Sequence, residues 1–272
     1  MLLLVVAATF VPASGADARA TAQRQPLVAD PVACPGCWHP GSRVSWQWQL
    51  QDPPTASALL DVRMYDVDGF EASTALVSKM HANASKAVCY ISAGSWEKYR
   101  PDANAFPASV LGTSNGWPGE RWLDIRRRTI LKPLMRARMN MCRRKGFDAI
   151  EFDNVDGYQN ATGFPLTGAD QRRYNVFLAN AAHARGLSAF LKNDLGQIAK
   201  LLPYFDAALN EQCFQYAECR PLTRFVQAGK PVFNVEYKLE PSQFCDKANA
   251  RDFNSLQKRL ALGAWRRPCR GA

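Results

Sequence analysis

Four apolar runs in the chain each end on residues that could take part in proton transfer or nucleophilic attack. The clearest run, FDAIEFDNVDG, occupies residues 147–157 and places Asp153 directly after a buried-type stretch. In parallel β-sheets the carboxyl ends of the strands meet at one face, so these runs predict a shared cluster of functional groups. The other three runs end on Lys192, Asn193 and Asp194; on Asn210 and Glu211; and on Glu236 and Tyr237.

Two of these acids are suited to the cleavage of a glycosidic bond. That reaction usually needs one carboxyl group to protonate the departing oxygen and another to attack the sugar or activate water. Asp153 ends the fourth predicted strand and Glu211 ends the sixth, so the two could face each other across a barrel mouth. We predict Asp153 and Glu211 as the catalytic pair. The alternative for any single strand-end acid is a helix cap or an ion pair with an arginine.

Further acidic and aromatic residues fall at the same predicted rim. A locally acidic mouth would hold a cationic substrate or a divalent metal, and flat rings could stack on sugar faces and on any ammonium group they carry. The acids come from separate strands and no calcium-loop motif is present, so no metal site is expected. The predicted substrate-binding residues are Asp66, Tyr90, Trp96, Glu97, Trp117, Asp156, Lys192, Asn193, Asp194, Glu236 and Tyr237.

Other chemistries find less support in the sequence. There is no Gly-x-Ser-x-Gly motif, and His39, His81 and His183 fall in a leader or on predicted helices rather than at strand ends. A Ser/His/Asp triad therefore has no obvious base. Lys192 could form a Schiff base as barrel aldolases do, but beside Asn193 and Asp194 it is better placed to orient carboxylates or hydroxyls.

Strand and helix patterns alternate along the chain as expected for consecutive βα units. They predict a single-domain α/β fold, a (β/α)8 TIM barrel stabilised by disulfides. The segment 95–124 is predicted to be a functional loop over the rim. Strands are predicted at residues 44–50, 61–65, 87–92, 147–153, 187–191, 206–209, 231–235 and 260–265, and helices at residues 71–82, 129–145, 170–184 and 221–228.

The N-terminal sequence and the cysteines point to an exported protein. Residues 1–16 resemble a secretory signal, too short to span a bilayer, residues 17–36 a flexible leader, and residues 37–272 the barrel domain. Eight cysteines fit an oxidising compartment. We expect the pairs Cys213–Cys219 and Cys89–Cys142. The connectivity of the remaining cysteines stays open; they are Cys34, Cys37, Cys245 and Cys269.

The formal net charge of +10 raises the question of a polyanionic partner. Much of the charge lies on the predicted helix 129–145 and just before it, where it is most simply a solvated outer face; surface polymers and nucleic acid are the alternatives. We expect a monomer that binds a cationic amino-sugar polysaccharide, without nucleic acid, stable membrane insertion or a cofactor.

Several ordered blocks between residues 40 and 240 together resemble the endo-α-1,4-polygalactosaminidases, glycoside hydrolase family 114. The resemblance implies a (β/α)8 barrel that cuts α-1,4-linked galactosamine polymers, of the kind found in microbial biofilm matrices, with an Asp after the fourth strand and a Glu after the sixth. These fall on Asp153 and Glu211. The blocks are WQWQL at 46–50, ISAGS at 91–95 with Glu97 and Arg100, WPGERWLD at 117–124, residues 151–157, KND at 192–194, NEQC at 210–213 and VEY at 235–237.

By analogy with other barrel α-glycosidases, we expect Asp153 to be the nucleophile and Glu211 the general acid/base of a retaining mechanism. The alternative is a catalytically silent barrel that binds carbohydrate in the same acidic, aromatic mouth. The two hypotheses differ in what the loss of Asp153 should do, because a silent barrel has no turnover to lose.

Overall fold

A computed structural model describes residues 28–271. The core is a nine-stranded sheet in which neighbouring strands are parallel, except for the last. In order across the sheet, its strands are β1 (Trp46–Gln49), β2 (Met64–Asp68), β3 (Lys86–Ser92), β7 (Ala149–Asp153), β8 (Ser188–Lys192), β9 (Ala207–Glu211), β10 (Val232–Glu236), β11 (Asn254–Lys258) and the antiparallel β12 (Arg266–Pro268).

The first and eighth parallel strands meet and nearly close the sheet into a barrel. The Trp46 indole N–H donates to the Asn254 carbonyl at 3.0 Å, and the Lys258 ammonium donates to Gln47 Oε1 at 3.0 Å. The predicted α/β barrel is therefore confirmed as a single domain.

Helices cover the outside of the barrel, and local sequence signals fix their ends. Ser73 accepts a hydrogen bond from the Leu76 N–H at the start of the first helix, and Thr167 with Asp170 forms a capping box at the start of the third. Gly146, at φ 93°, ends the second. The helices are α1 (Thr74–Ala82), α2 (Arg128–Lys145), α3 (Gly168–His183), α4 (Ile198–Leu201), α5 (Thr223–Gln227) and α6 (Pro241–Ala250).

Inside the barrel, inward-facing side chains change character from one end to the other. Alternate residues of a strand face the same side, so Ala149 and Phe190 face inward in the lower part of the barrel while Glu151, Asp153 and Lys192 face inward nearer the carboxyl ends. Trp46, Met64 and Phe233 complete much of the apolar lower part. The ionisable groups are thereby concentrated at one end of the barrel.

The eighth strand was predicted at the wrong place. It spans Asn254–Lys258, not residues 260–265, and Leu260 and Trp265 are exposed. The strand NSLQK has a single large apolar residue, Leu256. Its buried polar side chains hydrogen-bond to neighbouring elements, as Ser255 does to Asn234 Oδ1 at 3.0 Å. Because these buried side chains are polar and hydrogen-bonded, the strand lacks the alternating apolar residues on which the prediction depended.

The segment 95–124 is more ordered than a loop. It forms a second, antiparallel sheet of β4 (Ser95–Glu97), β5 (Leu111–Ser114) and β6 (Glu120–Leu123), with β6 in the middle. Strands of three or four residues are too short for a periodic pattern to reveal. This three-stranded insert stands beside the carboxyl end of the barrel.

All eight cysteines are paired in disulfides. The predicted pairs Cys89–Cys142 and Cys213–Cys219 are confirmed, and the other two join Cys34 to Cys37 and Cys245 to Cys269. The Cys-x-x-Cys spacing near the N-terminus is therefore a short disulfide loop.

The N-terminal predictions fall partly outside the described residues. The predicted signal, residues 1–16, lies beyond them entirely, as does the leader up to residue 27. Further along, the Ala29 carbonyl accepts from the Tyr204 hydroxyl at 2.9 Å and the Asp30 carbonyl accepts from Asn180 at 2.8 Å, so this end of the leader is held against the barrel. No helix between residues 28 and 271 has the length and apolar character needed to cross a bilayer.

Candidate active site

Lys192 lies at the centre of the polar end of the barrel, surrounded by three acids from the two neighbouring strands, β7 and β9. Its ammonium nitrogen lies 2.9 Å from Asp153 Oδ1, 3.2 Å from Glu211 Oε2 and 3.5 Å from Glu151 Oε1. The Lys192 side chain is 3% exposed, whereas those of Asp153 and Glu211 are 17% and 26% exposed. The two acids are therefore more accessible to a molecule in the mouth than the lysine is.

Burial on its own would lower the pKa of Lys192. The three carboxylates outweigh it and hold that pKa well above its ordinary value. The lysine is thus a fixed cation and cannot supply the free amine that a Schiff base requires.

Asp153 is held ionised. Burial opposes its charge, but the Lys192 ammonium and hydrogen bonds to its oxygens lower the pKa of this carboxyl below its ordinary value. The Tyr90 hydroxyl donates to Oδ2 at 2.8 Å and the Asn154 amide donates to the same oxygen at 3.2 Å. A carboxylate fixed by three donors is oriented for a reaction that needs its negative charge.

Glu211 is placed by a different set of donors. The Tyr237 hydroxyl donates to Oε1 and the Asn193 amide donates to Oε2 at 3.3 Å. Asn193 Oδ1 in turn accepts from the Glu211 backbone N–H at 3.0 Å. The residue after β8 thus fixes both the backbone and the side chain of the acid at the end of β9.

Unusual backbone conformations follow three of the strands that carry these groups. Asn154, Asn193, Asp194 and Gln212 all have left-handed φ angles, between 45° and 61°. Asn and Asp enter this region at low cost, whereas for Gln212 it costs roughly 1–2 kcal/mol. Such turns aim side chains into the mouth immediately after a strand ends, and backbone strain of this kind clusters at functional sites.

Gly94 allows one of these turns to form. A Cβ atom on it would lie 1.6 Å from the Asn154 carbonyl oxygen, and the Gly94 and Ala93 N–H groups both donate to the Asp153 carbonyl, at 3.1 and 2.9 Å. The turn after β3 therefore locks the end of β7 only because residue 94 has no side chain.

Asp153, Glu211 and Lys192 line a cleft of about 700 Å³ at the carboxyl end of the barrel. One wall is built from the insert, whose Glu120 accepts hydrogen bonds from Tyr99 at 2.8 Å and Asn115 at 2.8 Å. Trp117 is 52% exposed at the edge of the cleft. Carboxylates beside exposed rings are what a ligand with both a cationic group and a flat apolar face requires.

A buried ion-pair network anchors the insert to the barrel. Arg100 donates to both oxygens of Asp68, at 2.9 and 2.5 Å, and to Glu97 Oε1 at 2.7 Å. Arg138 on α2 donates to both oxygens of Asp102, at 2.8 and 2.9 Å. Glu97 lines the cleft, but its charge is already compensated.

Asp156 is a carboxylate beside the reacting pair that is available to a cationic ligand. It lines the cleft, is half-buried, and receives no hydrogen bond from another side chain within residues 28–271. Burial, with Asp153 adding to the effect, raises its pKa to about 6. Above that pH it is an unpaired negative charge close to Asp153.

Residues 29–272 match the sequence model of glycoside-hydrolase family GH114. The chain belongs to family GH114. A crystal structure of Aspergillus fumigatus Ega3 in complex with galactosamine is 36% identical, with a TM-score of 0.81, over 89% of this chain and 100% of Ega3.

More distant relatives of this GH114 chain agree with its fold. The glycoside hydrolase domain of PelA from Pseudomonas aeruginosa is 15% identical, with a TM-score of 0.65, over 82% of this chain and 97% of that domain. An uncharacterized protein of Deinococcus radiodurans is 28% identical over 68% of this chain, and the match spans 66% of the bacterial protein's length. By family, then, the chain is a glycoside hydrolase.

Nine of the predicted site residues line the cleft of this GH114 barrel. Four others do not. The nine are Asp153, Glu211, Tyr90, Glu97, Trp117, Asp156, Lys192, Asn193 and Tyr237; the four are Asp66, Trp96, Asp194 and Glu236.

The four residues outside the cleft lie in other surroundings. Glu236 is fully buried and accepts the backbone N–H of Phe214 at 2.9 Å, so it holds the loop after β9. The Trp96 indole donates to the Ala103 carbonyl at 3.0 Å within the insert. Asp194 accepts from Asn175 at 3.0 Å beneath the cleft, and Asp66 lies deeper in the barrel. A strand-end position does not by itself distinguish a side chain that faces the cleft from one that supports a loop.

Sequence reasoning missed several residues of the cleft. Trp48 lines the cleft and donates to Glu151 Oε2 at 3.1 Å. Asn154 was passed over between two acids. The other cleft residues outside the predicted set are Leu50, Gln51, Asp52, Asp68, Glu71, Tyr99, Arg100, Glu120, Trp122, Asn160, Leu260, Ala261 and Leu262. The local signals were the Asn after a strand end and the second Trp of the WQWQ strand.

Buried Asp194 gives a pH-dependent prediction. Burial, with Asp156 adding to it, raises the pKa of Asp194 from 3.8 to about 8. Because the folded-state pKa lies above the unfolded one, this group's contribution to stability is full below about pH 4 and is lost as pH rises towards 8. Asp194→Asn keeps the shape and tolerates the left-handed φ. We expect the free energy of unfolding of this variant, relative to that of wild type, to increase by up to about 1.4 kcal/mol for each pH unit between pH 4 and 8.

Urea unfolding at a series of pH values measures the effect of Asp194→Asn. The exposed Asp246→Asn on α6 is the matched control and should run parallel to wild type. A difference between Asp194→Asn and wild type that stays constant from pH 4 to 8 would show that Asp194 is ionised throughout.

Proposed function

We propose that this GH114 protein is a secreted, monomeric, endo-acting hydrolase of α-1,4-linked galactosamine polymers, with Asp153 as nucleophile and Glu211 as general acid/base. The observation that carries the proposal is the single ammonium of Lys192 in contact with both acids in an open cleft. The galactosamine bound in the similar Aspergillus fumigatus Ega3 structure supports the amino sugar as the ligand class.

The distances favour retention of configuration. Because one nitrogen lies 2.9 Å from Asp153 Oδ1 and 3.2 Å from Glu211 Oε2, these two oxygens are at most about 6 Å apart. Retaining enzymes separate their carboxyl groups by about 5–5.5 Å and inverting enzymes by about 6.5–9.5 Å. The upper bound lies below the range for inverting enzymes, which supports a retaining mechanism.

The residues then divide the work of a double displacement. Asp153, ionised beside Lys192 and Tyr90, attacks the anomeric carbon while protonated Glu211 gives its proton to the departing glycosidic oxygen. The product is a glycosyl ester on Asp153, which leaves Lys192 to stabilise the Glu211 carboxylate. Glu211 then takes a proton from water as that water attacks the same carbon and releases Asp153.

Asp156 is suited to bind the ammonium of the amino sugar. It carries an unpaired charge above about pH 6 at the edge of the reacting pair. Asp156→Asn should therefore lower kcat/KM on de-N-acetylated polymer by roughly 10-fold or more, the effect of one charge-assisted hydrogen bond, and change cleavage of N-acetylated stretches little.

Steady-state kinetics on polymers of stepped acetylation test the role of Asp156. The wild-type preference for free amines should decline below about pH 6, as Asp156 is protonated, and the Asp156→Asn variant should show no such decline. Asp246→Asn removes an equal charge far from the cleft. Equal losses on acetylated and free-amine polymers would contradict an ammonium contact.

The proposed activity is tested with partly de-N-acetylated α-1,4-galactosaminan. Reducing ends and product masses are followed over time. Oligomers of mixed length appearing early indicate endo cleavage, whereas single sugars or dimers alone indicate action from an end. Binding of the polymer without any new reducing ends would favour the silent carbohydrate-binding barrel.

A further inference from the structure

Two carboxyl groups lie beneath the reacting pair and take no part in the mechanism so far. Asp66 on β2 and Glu151 on β7 face inward from alternate strands of the barrel, and both residues are 0% exposed. Alternate strands fill the same layer of a barrel interior, which brings the two carboxyl groups together.

The two acids differ in what surrounds them. Glu151 Oε2 accepts the Trp48 indole N–H at 3.1 Å, and Oε1 lies 3.5 Å from the Lys192 ammonium. Neither oxygen of Asp66 has a hydrogen-bond donor within residues 28–271. An ionised carboxylate buried without a donor is costly enough that the group takes up a proton instead.

We propose that Asp66 is a positioning residue that stays protonated and donates its O–H to Glu151, which thereby remains ionised as the third counter-ion of Lys192. A carboxylic acid kept neutral by its surroundings acts as a hydrogen-bond donor, a use of burial known from other active sites. The proposal rests on the proposed function only in treating Asp153 and Glu211 as the reacting pair.

The charges around the pair favour this assignment. Burial and the neighbouring Glu151 raise the pKa of Asp66 well above its ordinary value. Burial, with Asp153 and Glu211 adding to it, raises the pKa of Glu151 to about 7, and Lys192 and the bond from Asp66 keep it from rising further. The ionisable side chains facing the pair from the adjoining strands are Tyr90 on β3, Asp153 on β7, Lys192 on β8 and Glu211 on β9. Lys192 is the single cation among them, which favours a proton on one of the two buried acids.

The arrangement has a consequence for the reacting pair. Glu151 holds Lys192 from below while Asp153 and Glu211 hold it from above. If Asp66 no longer donates, Glu151 loses the bond that keeps its charge in place. Lys192 is then free to move towards the upper acids, and the position of Asp153 relative to the sugar changes with it.

An isosteric and an apolar replacement of Asp66 distinguish a need for its hydrogen-bond donor from a need for its negative charge. Asp66→Asn keeps an N–H donor without a charge, so we expect kcat within about 3-fold of wild type and an unchanged pH profile. Asp66→Leu has no donor and should lower kcat by about 30-fold or more with a smaller change in KM, since the mouth itself is intact. An Asp66→Asn loss as large as that of Asp66→Leu would overturn the proposal, because an ionised Asp66 would then be required.

Infrared spectroscopy tests the proton without any substrate. The wild-type minus Asp66→Asn difference spectrum at neutral pH should contain the carbonyl stretch of a protonated carboxyl group; Asp194 contributes equally to both proteins and cancels. Absence of that band would overturn the proposal even if the enzyme is active. If Asp66→Asn does not fold, Glu151→Gln serves instead, because the band should shift when the acceptor changes from carboxylate to amide, and an unshifted band would contradict the contact.

Stability against pH gives a second substrate-free measurement. The folded-state pKa of Asp66 is raised above its unfolded value. The contribution of Asp66 to the free energy of unfolding is therefore present at acidic pH and is lost as pH rises above about 4. The melting temperature of Asp66→Asn should therefore gain on that of wild type as pH rises from 4 to 8. A constant difference would contradict a protonated Asp66. An inactive wild type that passes both substrate-free tests would refute the proposed function and leave this inference standing.

Discussion

Replacing Asp153 by asparagine is expected to lower kcat by at least about 10⁴-fold, the scale on which loss of a catalytic nucleophile acts. The amide keeps the shape and can still accept from Tyr90, but it carries no charge to attack the anomeric carbon. It also removes one counter-ion of Lys192. Polymer binding should remain, because the exposed rings and Asp156 are untouched.

The Asp153→Asn variant is measured for turnover by reducing ends and for polymer binding by calorimetry. Asp246→Asn supplies the control for loss of an acidic charge. If turnover falls less than about 10-fold, Asp153 is not the nucleophile. If neither wild type nor Asp153→Asn turns over the polymer while both bind it equally, the silent carbohydrate-binding barrel is the better account.

Replacing Glu211 by glutamine should lower kcat on the polymer by about 10²- to 10⁴-fold, the usual size of a general acid/base contribution. The effect should depend on the leaving group. An activated aryl glycoside departs without protonation, so the first step of the variant should be close to normal and the glycosyl ester on Asp153 should accumulate. The expected signature is a burst of aryl alcohol followed by slow turnover.

Azide distinguishes the two roles further. It is an anionic nucleophile that needs no base, so in Glu211→Ala it should attack the ester and release a glycosyl azide with retained configuration. Glu218→Gln, exposed on the loop that follows β9, is the matched control and should behave as wild type. A Glu211→Gln loss that is equal on aryl glycosides and polymer would contradict the acid/base role.

The sequence could locate the carboxyl end of most strands because that end is where an apolar run stops. Asp153, Lys192 and Glu211 were found in this way, and their spacing of about one strand and one helix placed them on one face. The eighth strand was not predicted correctly because its buried side chains are mostly polar and hydrogen-bond to neighbouring elements. A short strand of that kind has no pattern of apolar residues.

Which strand-end acids face the cleft could not be read from the sequence. Asp156 and Glu236 follow or end strands alike, yet one is open to the cleft and the other is bonded to the Phe214 backbone. That difference depends on the path of each loop after its strand. The depth of Asp66 inside the barrel could not be predicted either, because it depends on the register of β2 against its neighbouring strands.

The central claim, a glycosyl ester formed on Asp153, is tested most directly by trapping it. A galactosaminyl fluoride bearing a second fluorine on the ring slows both steps, and its activated leaving group allows the ester to accumulate. Mass spectrometry of the intact protein followed by peptide mapping locates the adduct. We predict one sugar per protein on the peptide that contains Asp153, with none in Asp153→Asn. An adduct on a different carboxylate, or no adduct from an enzyme that releases inverted product, would contradict the account.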